Sequence, residues 1–152
     1  MLEFMAEVFE HAAHRHGRCV AQRANGAALD AVQATIIVLE NSPHFNAGYG
    51  AALTEQFDHE LDASVMEGAT LNAGAVAGIK RVRNPILAAR AVMDSGKAVL
   101  LAGEAADQFA EQAGLVMVNP DYFTTQRRIE AVKLLKQRAL TGTIAKASEA
   151  EK

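Results

Sequence analysis

Along this chain the apolar positions switch between a three-to-four-residue period and a two-residue period, and each switch marks an element. Met5, Val8, Phe9, Ala12, His16 and Cys19 recur at helical spacing and predict a first helix ending near Asn25-Gly26. Leu29, Val32, Ile36 and Leu39 predict a second, stopped by Asn41-Ser42-Pro43 because proline disfavours helix in the residue before it. The period then falls to two. Leu61-Asp62-Ala63-Ser64-Val65 and Asn72 to Ile79 alternate small residues with larger or polar ones around Glu67-Gly68, which predicts a β-hairpin. Its Gly and Ala content requires a second backbone layer close by. Asn84 followed by Pro85 starts a third helix, since proline at the first helical position loses no hydrogen bond, and Ser95-Gly96 stops it. Val99 to Ala102 reads as a short buried strand, Glu104 to Gln112 as a fourth helix ended by Gly114, and Leu115 to Val118 as a further strand closed by Asn119-Pro120. Thr124 or Thr125 can cap a last helix running to about Ala139. Residues 141–152 hold no large apolar side chain except Ile144 and predict a flexible C-terminal linker after one domain over 1–140. The expected class is a layered α/β (α+β) domain with a mostly antiparallel sheet.

Composition narrows the function classes. With 152 residues, half of them apolar and 5% aromatic, the chain can bury one core built largely from small side chains. A net charge of −3 gives no field to recruit nucleic acid or an anionic membrane. No apolar run is long enough to span a bilayer, and Glu3 and Glu7 do not fit a signal sequence. Cys19 is the single cysteine, so no internal disulfide can form. A soluble cytoplasmic protein is the expectation.

Candidate chemistry is sparse. Ser42, Ser64, Ser95 and Cys19 lack the local setting of an activated nucleophile, and Cys19 reads as a packed core residue. His11 and His14 share a helix face, but His16 points elsewhere and no further ligands follow, so a zinc site is not expected. Arg127, Arg128, Lys133, Lys136 and Arg138 crowd the last helix without interleaved aromatics and read as a solvated face or a partner contact. Glu104 and Asp107 suit the positive end of a helix dipole. Asp62, an acid among small residues on a strand, needs hydrogen-bond partners and reads as a structural residue fixing adjacent loops. The corner from Leu39 to Gly50 leaves the last carbonyls of a helix unpaired and turns back on them. Its residues fit either an ordinary helix end or a cage of main-chain oxygens for a hard cation.

The stretch FNAGYGAALTEQFDHELDASVMEGATLNAGAVAGIKRVRNP, from Phe45 to Pro85, resembles the plant-type asparaginase and isoaspartyl-peptidase family of N-terminal-nucleophile hydrolases. The likeness runs on through NPILAARAVM and LLAGEAADQFA to NPDYFTTQRR, and covers roughly residues 25–140. It implies an αββα sandwich of which this chain is the α-subunit half. It also implies hydrolysis of β-aspartyl peptides and L-asparagine by a threonine at the start of a β subunit, released from the same precursor by autoproteolysis in an (αβ)2 assembly. This chain would then carry no catalytic residue of its own. LENSPHFNAGYG matches the family's sodium loop, which implies a structural Na+ held by the main-chain oxygens of Leu39, Glu40, Ser42, Phe45, Ala47 and Tyr49. Asn46 matches the asparagine beside the nucleophile. Thr143, in a Gly-Thr-Ile run, falls in the family's variable linker, and the family's opening His-Gly-Gly strand has no counterpart here. Two other readings stay open: a truncated, non-catalytic member acting only in association, and a glycosylasparaginase-like threonine hydrolase.

Overall fold

The computed structural model describes residues 28–150, with side chains through residue 139. The first expected helix, with His11, His14, His16 and Cys19, lies outside the described residues, as does the side chain of Thr143. The element order is α1 (Ala28–Glu40), β1 (Leu61–Met66), β2 (Ala73–Ile79), α2 (Pro85–Ser95), β3 (Leu100–Ala102), α3 (Gly103–Gln112), a 3-10 turn (Pro120–Phe123) and α4 (Gln126–Ala150). No helix among the described residues is long and apolar enough to cross a membrane.

The hairpin forms where the two-residue period predicts it. β1 and β2 pair antiparallel, and β3 adds in parallel beside β2 after the α2 crossover, giving the order β1-β2-β3. The class is therefore mixed α/β, with one antiparallel pair and one parallel pair. Leu61 and Val65 from β1 and Val76 and Ile79 from β2 point into a core shared with Ile86, Ala88, Ala89 and Val92 of α2 and Ala106 and Ala110 of α3. The small residues have the purpose their pattern suggested. A Cβ on Gly74 would run into the Ala89 carbonyl oxygen and the Met93 amide, so only glycine lets α2 lie this close to the strand. α2 ends as expected, with Gly96 at φ 62° and its N–H bonded to the Met93 carbonyl.

The opposite sheet face is different. Asp62, Ser64 and Met66 of β1 and Leu100 and Ala102 of β3 are exposed on it, and Met66, Leu100 and the preceding Val99 keep 57%, 56% and 65% of their surface in solvent. The expectation of a buried strand at Val99 to Ala102 fails because, among the described residues, β3 is an edge strand packed by helices on one side only. Leu115 to Val118 also departs from expectation. It makes an isolated antiparallel bridge, Val82 to Met117, flanked by bonds from Arg83 N to Val116 O and Val118 N to Arg81 O. Asn119-Pro120 then turns the chain before a longer ladder can form. α4 runs to Ala150, past the stop expected near Ala139. No proline follows Pro120, so nothing breaks the ladder of backbone bonds.

Candidate functional site

α1 ends at Glu40, and the chain folds back on its own helix end. Asn41 N still reaches the Ile37 carbonyl and Ser42 N the Leu39 carbonyl, while Tyr49 N donates to the Glu40 carbonyl at 2.7 Å. That last bond closes residues 40–49 into a ring. Two glycines permit it. Gly48, at φ 49°, packs so closely on Glu40 that a Cβ would collide with the Glu40 carbonyl oxygen. Gly50, at φ 98°, would place a Cβ 2.8 Å from the Pro43 carbonyl oxygen.

Glu40, Ser42, Phe45, Ala47 and Tyr49 lie within this ring, and Leu39 directly precedes it. The carbonyls of Leu39 and Glu40 accept the bonds just described, and that of Phe45 accepts from Arg128 at 3.2 Å. A carbonyl oxygen has two lone pairs, so each of these keeps one for a further partner. Oxygen-only donors at the negative end of a helix fit a hard cation. Asn46 sits between Phe45 and the glycines, and its side-chain oxygen accepts from Ala52 N at 2.6 Å. Glu40, Asn46, Gly48, Glu60, Asp62 and Pro85 line one cleft of 240 Å³.

The side chain of Glu40 is the most perturbed group beside this cleft. It is 3% exposed, accepts from Ile86 N at 2.9 Å and from the Asn84 side-chain amide at 3.1 Å, and so ties α1 to the first turn of α2. Burial pushes its pKa up from 4.5 to about 7, and the two hydrogen bonds only partly offset that effect. The family resemblance implies only a main-chain role for Glu40. Its partners lie more than forty residues away, and no local pattern signals them.

The other acids find structural partners. Asp62 stands at a bulge between Leu61 and Ala63, and its carboxylate accepts from Gly78 N at 2.7 Å, the amide that the irregular register leaves free of β1. Its reading as a residue that fixes the neighbouring chain agrees with this geometry. Asp107 does more than meet a helix dipole: it is 4% exposed and accepts from both Lys80 N and Arg81 N at 3.0 Å. His59, buried beside Phe123, pairs its Nε2 with the Thr124 hydroxyl at 2.9 Å, and burial lowers its pKa. Thr125 accepts backbone bonds from Arg128 and Ile129 at the start of α4, but its hydroxyl is buried without a hydrogen-bond partner among the described residues. The expected threonine side-chain cap is therefore not made: the Thr124 hydroxyl pairs with His59, and Thr125 contributes only the carbonyl that begins the helical ladder.

The basic start of α4 is not a plain solvated face, because two of its arginines contact the loop of residues 40–50. Arg127 donates to the carbonyls of Pro43 and His44 at 3.2 and 3.3 Å, and Arg128 to those of Gly50 and Phe45 at 2.6 and 3.2 Å. Lys136 lies 4.7 Å above the Phe57 ring.

A family model described as Asparaginase matches residues 5–152. Among similar proteins, the isoaspartyl peptidase of Salmonella typhimurium is 51% identical over 116 residues, which are 76% of this chain and 36% of that protein. The plant-type L-asparaginase of Pyrococcus horikoshii is 50% identical over 119 residues, 78% of this chain and 38% of that protein. The isoaspartyl peptidase/L-asparaginase of Mus musculus is 43% identical over 117 residues, 75% of this chain and 36% of that protein. The chain thus spans little more than a third of the length of the relatives it matches.

Proposed function

The chain belongs to the asparaginase family of isoaspartyl peptidases and plant-type L-asparaginases, and on that premise we propose that it is the α part of such a hydrolase. The observation that carries this reading is identity near one half to relatives named for these activities, over most of this chain but little more than a third of theirs. The rest of the enzyme is then a β subunit from the same precursor, with two αβ units in the assembly. Residues 1–140 contribute half of an αββα sandwich and residues 141–152 the linker. The sheet supports this arrangement, because helices cover one face while Met66 and Leu100 stand exposed on the other. A second sheet laid there would bury them.

In the proposed reaction the hydroxyl of a threonine at the β-subunit terminus attacks the side-chain amide or isopeptide carbonyl. The threonine amine takes the hydroxyl proton and returns it to the leaving ammonia or peptide amine. Water then cleaves the resulting ester, releasing aspartate from L-asparagine or aspartyl product from a β-aspartyl peptide. Asn46 reaches the nucleophile from the ring of residues 40–49 and fixes its orientation. Na+ bound by the main-chain oxygens of Leu39, Glu40, Ser42, Phe45, Ala47 and Tyr49 stiffens that ring and takes no part in bond making.

Expression of the protein in full, followed by intact mass measurement and a β-aspartyl dipeptide assay, tests the reading. Two chains, the second beginning with threonine, and release of aspartate are expected. A single uncleaved chain without turnover would overturn it and favour a protein acting only by association.

A further inference from the structure

We propose that Arg128 is a positioning residue for Asn46, gripping the main-chain oxygens on either side of it; this rests on the activity proposed above. Gly50 is held at both ends of its backbone. Its N–H donates to the Phe123 carbonyl at 2.9 Å, and its carbonyl accepts from Arg128 Nε at 2.6 Å. The same guanidinium reaches the Phe45 carbonyl through Nη2 at 3.2 Å. Phe45 and Gly50 bracket Asn46, whose side chain in turn bonds Ala52 N. One planar group thus spans the base of the loop that carries Asn46.

Arginine is required by the geometry. Its fork places two donors at a fixed separation, whereas the lysine ammonium is a point charge on a flexible stem. Arg128 makes no ion pair among the described residues, and its side chain is partly buried, so its charge acts on the loop carbonyls of Phe45 and Gly50. Arg127 extends the grip to Pro43 and His44. The chain just before α4 is tied to this loop by the Gly50 N–H to the Phe123 carbonyl, and His59 bonds the adjoining Thr124. Phe45 belongs both to this clamp and to the proposed ion cage, so the two act on one loop.

The test compares the full-length wild type with Arg128→Lys and Arg128→Ala. Amide exchange over residues 46–52 is followed by mass spectrometry, and kcat and KM are measured on a β-aspartyl dipeptide. Arg128→Lys retains the charge and should keep the fold. It is expected to raise exchange in 46–52 about tenfold and to lower kcat about tenfold, with KM changed less than about twofold, because loop placement rather than substrate capture is lost. Arg128→Ala should show larger effects of the same kind. Unaltered exchange and kcat in both variants would overturn the proposal, as would a rise in KM at constant kcat, or a fall in kcat without faster exchange in 46–52. If the wild type itself does not hydrolyse the dipeptide, the activity reading fails, and unaltered exchange in both variants would separately overturn the clamp.

Discussion

Replacing Glu40 by glutamine should make the protein more stable at alkaline pH, although it removes a charge from a buried polar cluster. The glutamine oxygen can keep the Ile86 amide, and the Asn84 side chain can turn its oxygen toward the new NH2 group. What disappears is the cost of ionising a carboxyl that is 3% exposed. Unfolded, Glu40 titrates near 4.5; folded, burial raises it to about 7. Between those values the folded state holds the extra proton. The contribution of this group to stability is therefore complete below 4.5 and is lost as pH rises through about 7. At about 1.4 kcal/mol per pH unit, the full difference approaches about 3 kcal/mol, most of which develops between pH 5 and pH 8. Urea unfolding of the assembled wild type and Glu40→Gln at these two pH values measures it directly. The wild type should lose ground to the variant by about that amount on going from pH 5 to pH 8. Parallel pH dependence in the two proteins would refute the reasoning, because it would mean that Glu40 titrates alike folded and unfolded.

His59 should act in the opposite sense. Burial lowers its folded pKa, so its contribution is complete above the ordinary value of 6.5 and is lost as pH falls through the folded value; His59→Gln should flatten the acid limb of a stability curve. Gly74→Ala should destabilise by about 1–3 kcal/mol or more, read as a lowered unfolding midpoint, because the new methyl meets the backbone of α2 rather than a movable side chain. Asn46→Ala should lower kcat of the full enzyme while the unfolding free energy changes by less than about 1 kcal/mol, since the side chain is exposed and gives up one bond to Ala52. Loss of folding in that variant would show that Asn46 holds the loop rather than serving the reaction.

Local signals carried most of the element list. α2 is bounded by a proline at its first position and a left-handed Gly96, and β1 and β2 by alternation that only a half-covered sheet explains. Those cues act within a few residues and survive any tertiary context. Glu40 with Asn84 and Ile86, Asp107 with two consecutive amides, and Arg128 with Phe45 and Gly50 are contacts between segments far apart in the chain. Periodicity carries no information about them. Arg127 and Arg128 look like surface charges because their partners are carbonyl oxygens, which leave no mark in a sequence of side chains. Val99 and Leu100 mislead for a related reason: an apolar run states that burial is favourable, not which chain supplies the cover.

The bulge at Asp62 has a consequence for how the hairpin finds its pairing. β2 carries Ala or Gly at five of its seven positions, so its bulk distinguishes one alignment from the next mainly through Val76 and Ile79. Here a two-residue shift of β1 would carry the carboxylate away from the Gly78 amide and would set an ordinary pairing against a residue at φ 62°. Both penalties fall on the slipped alignment and neither on the native one. A single irregularity therefore acts as a second pin on the register, beside the few large residues of the buried face.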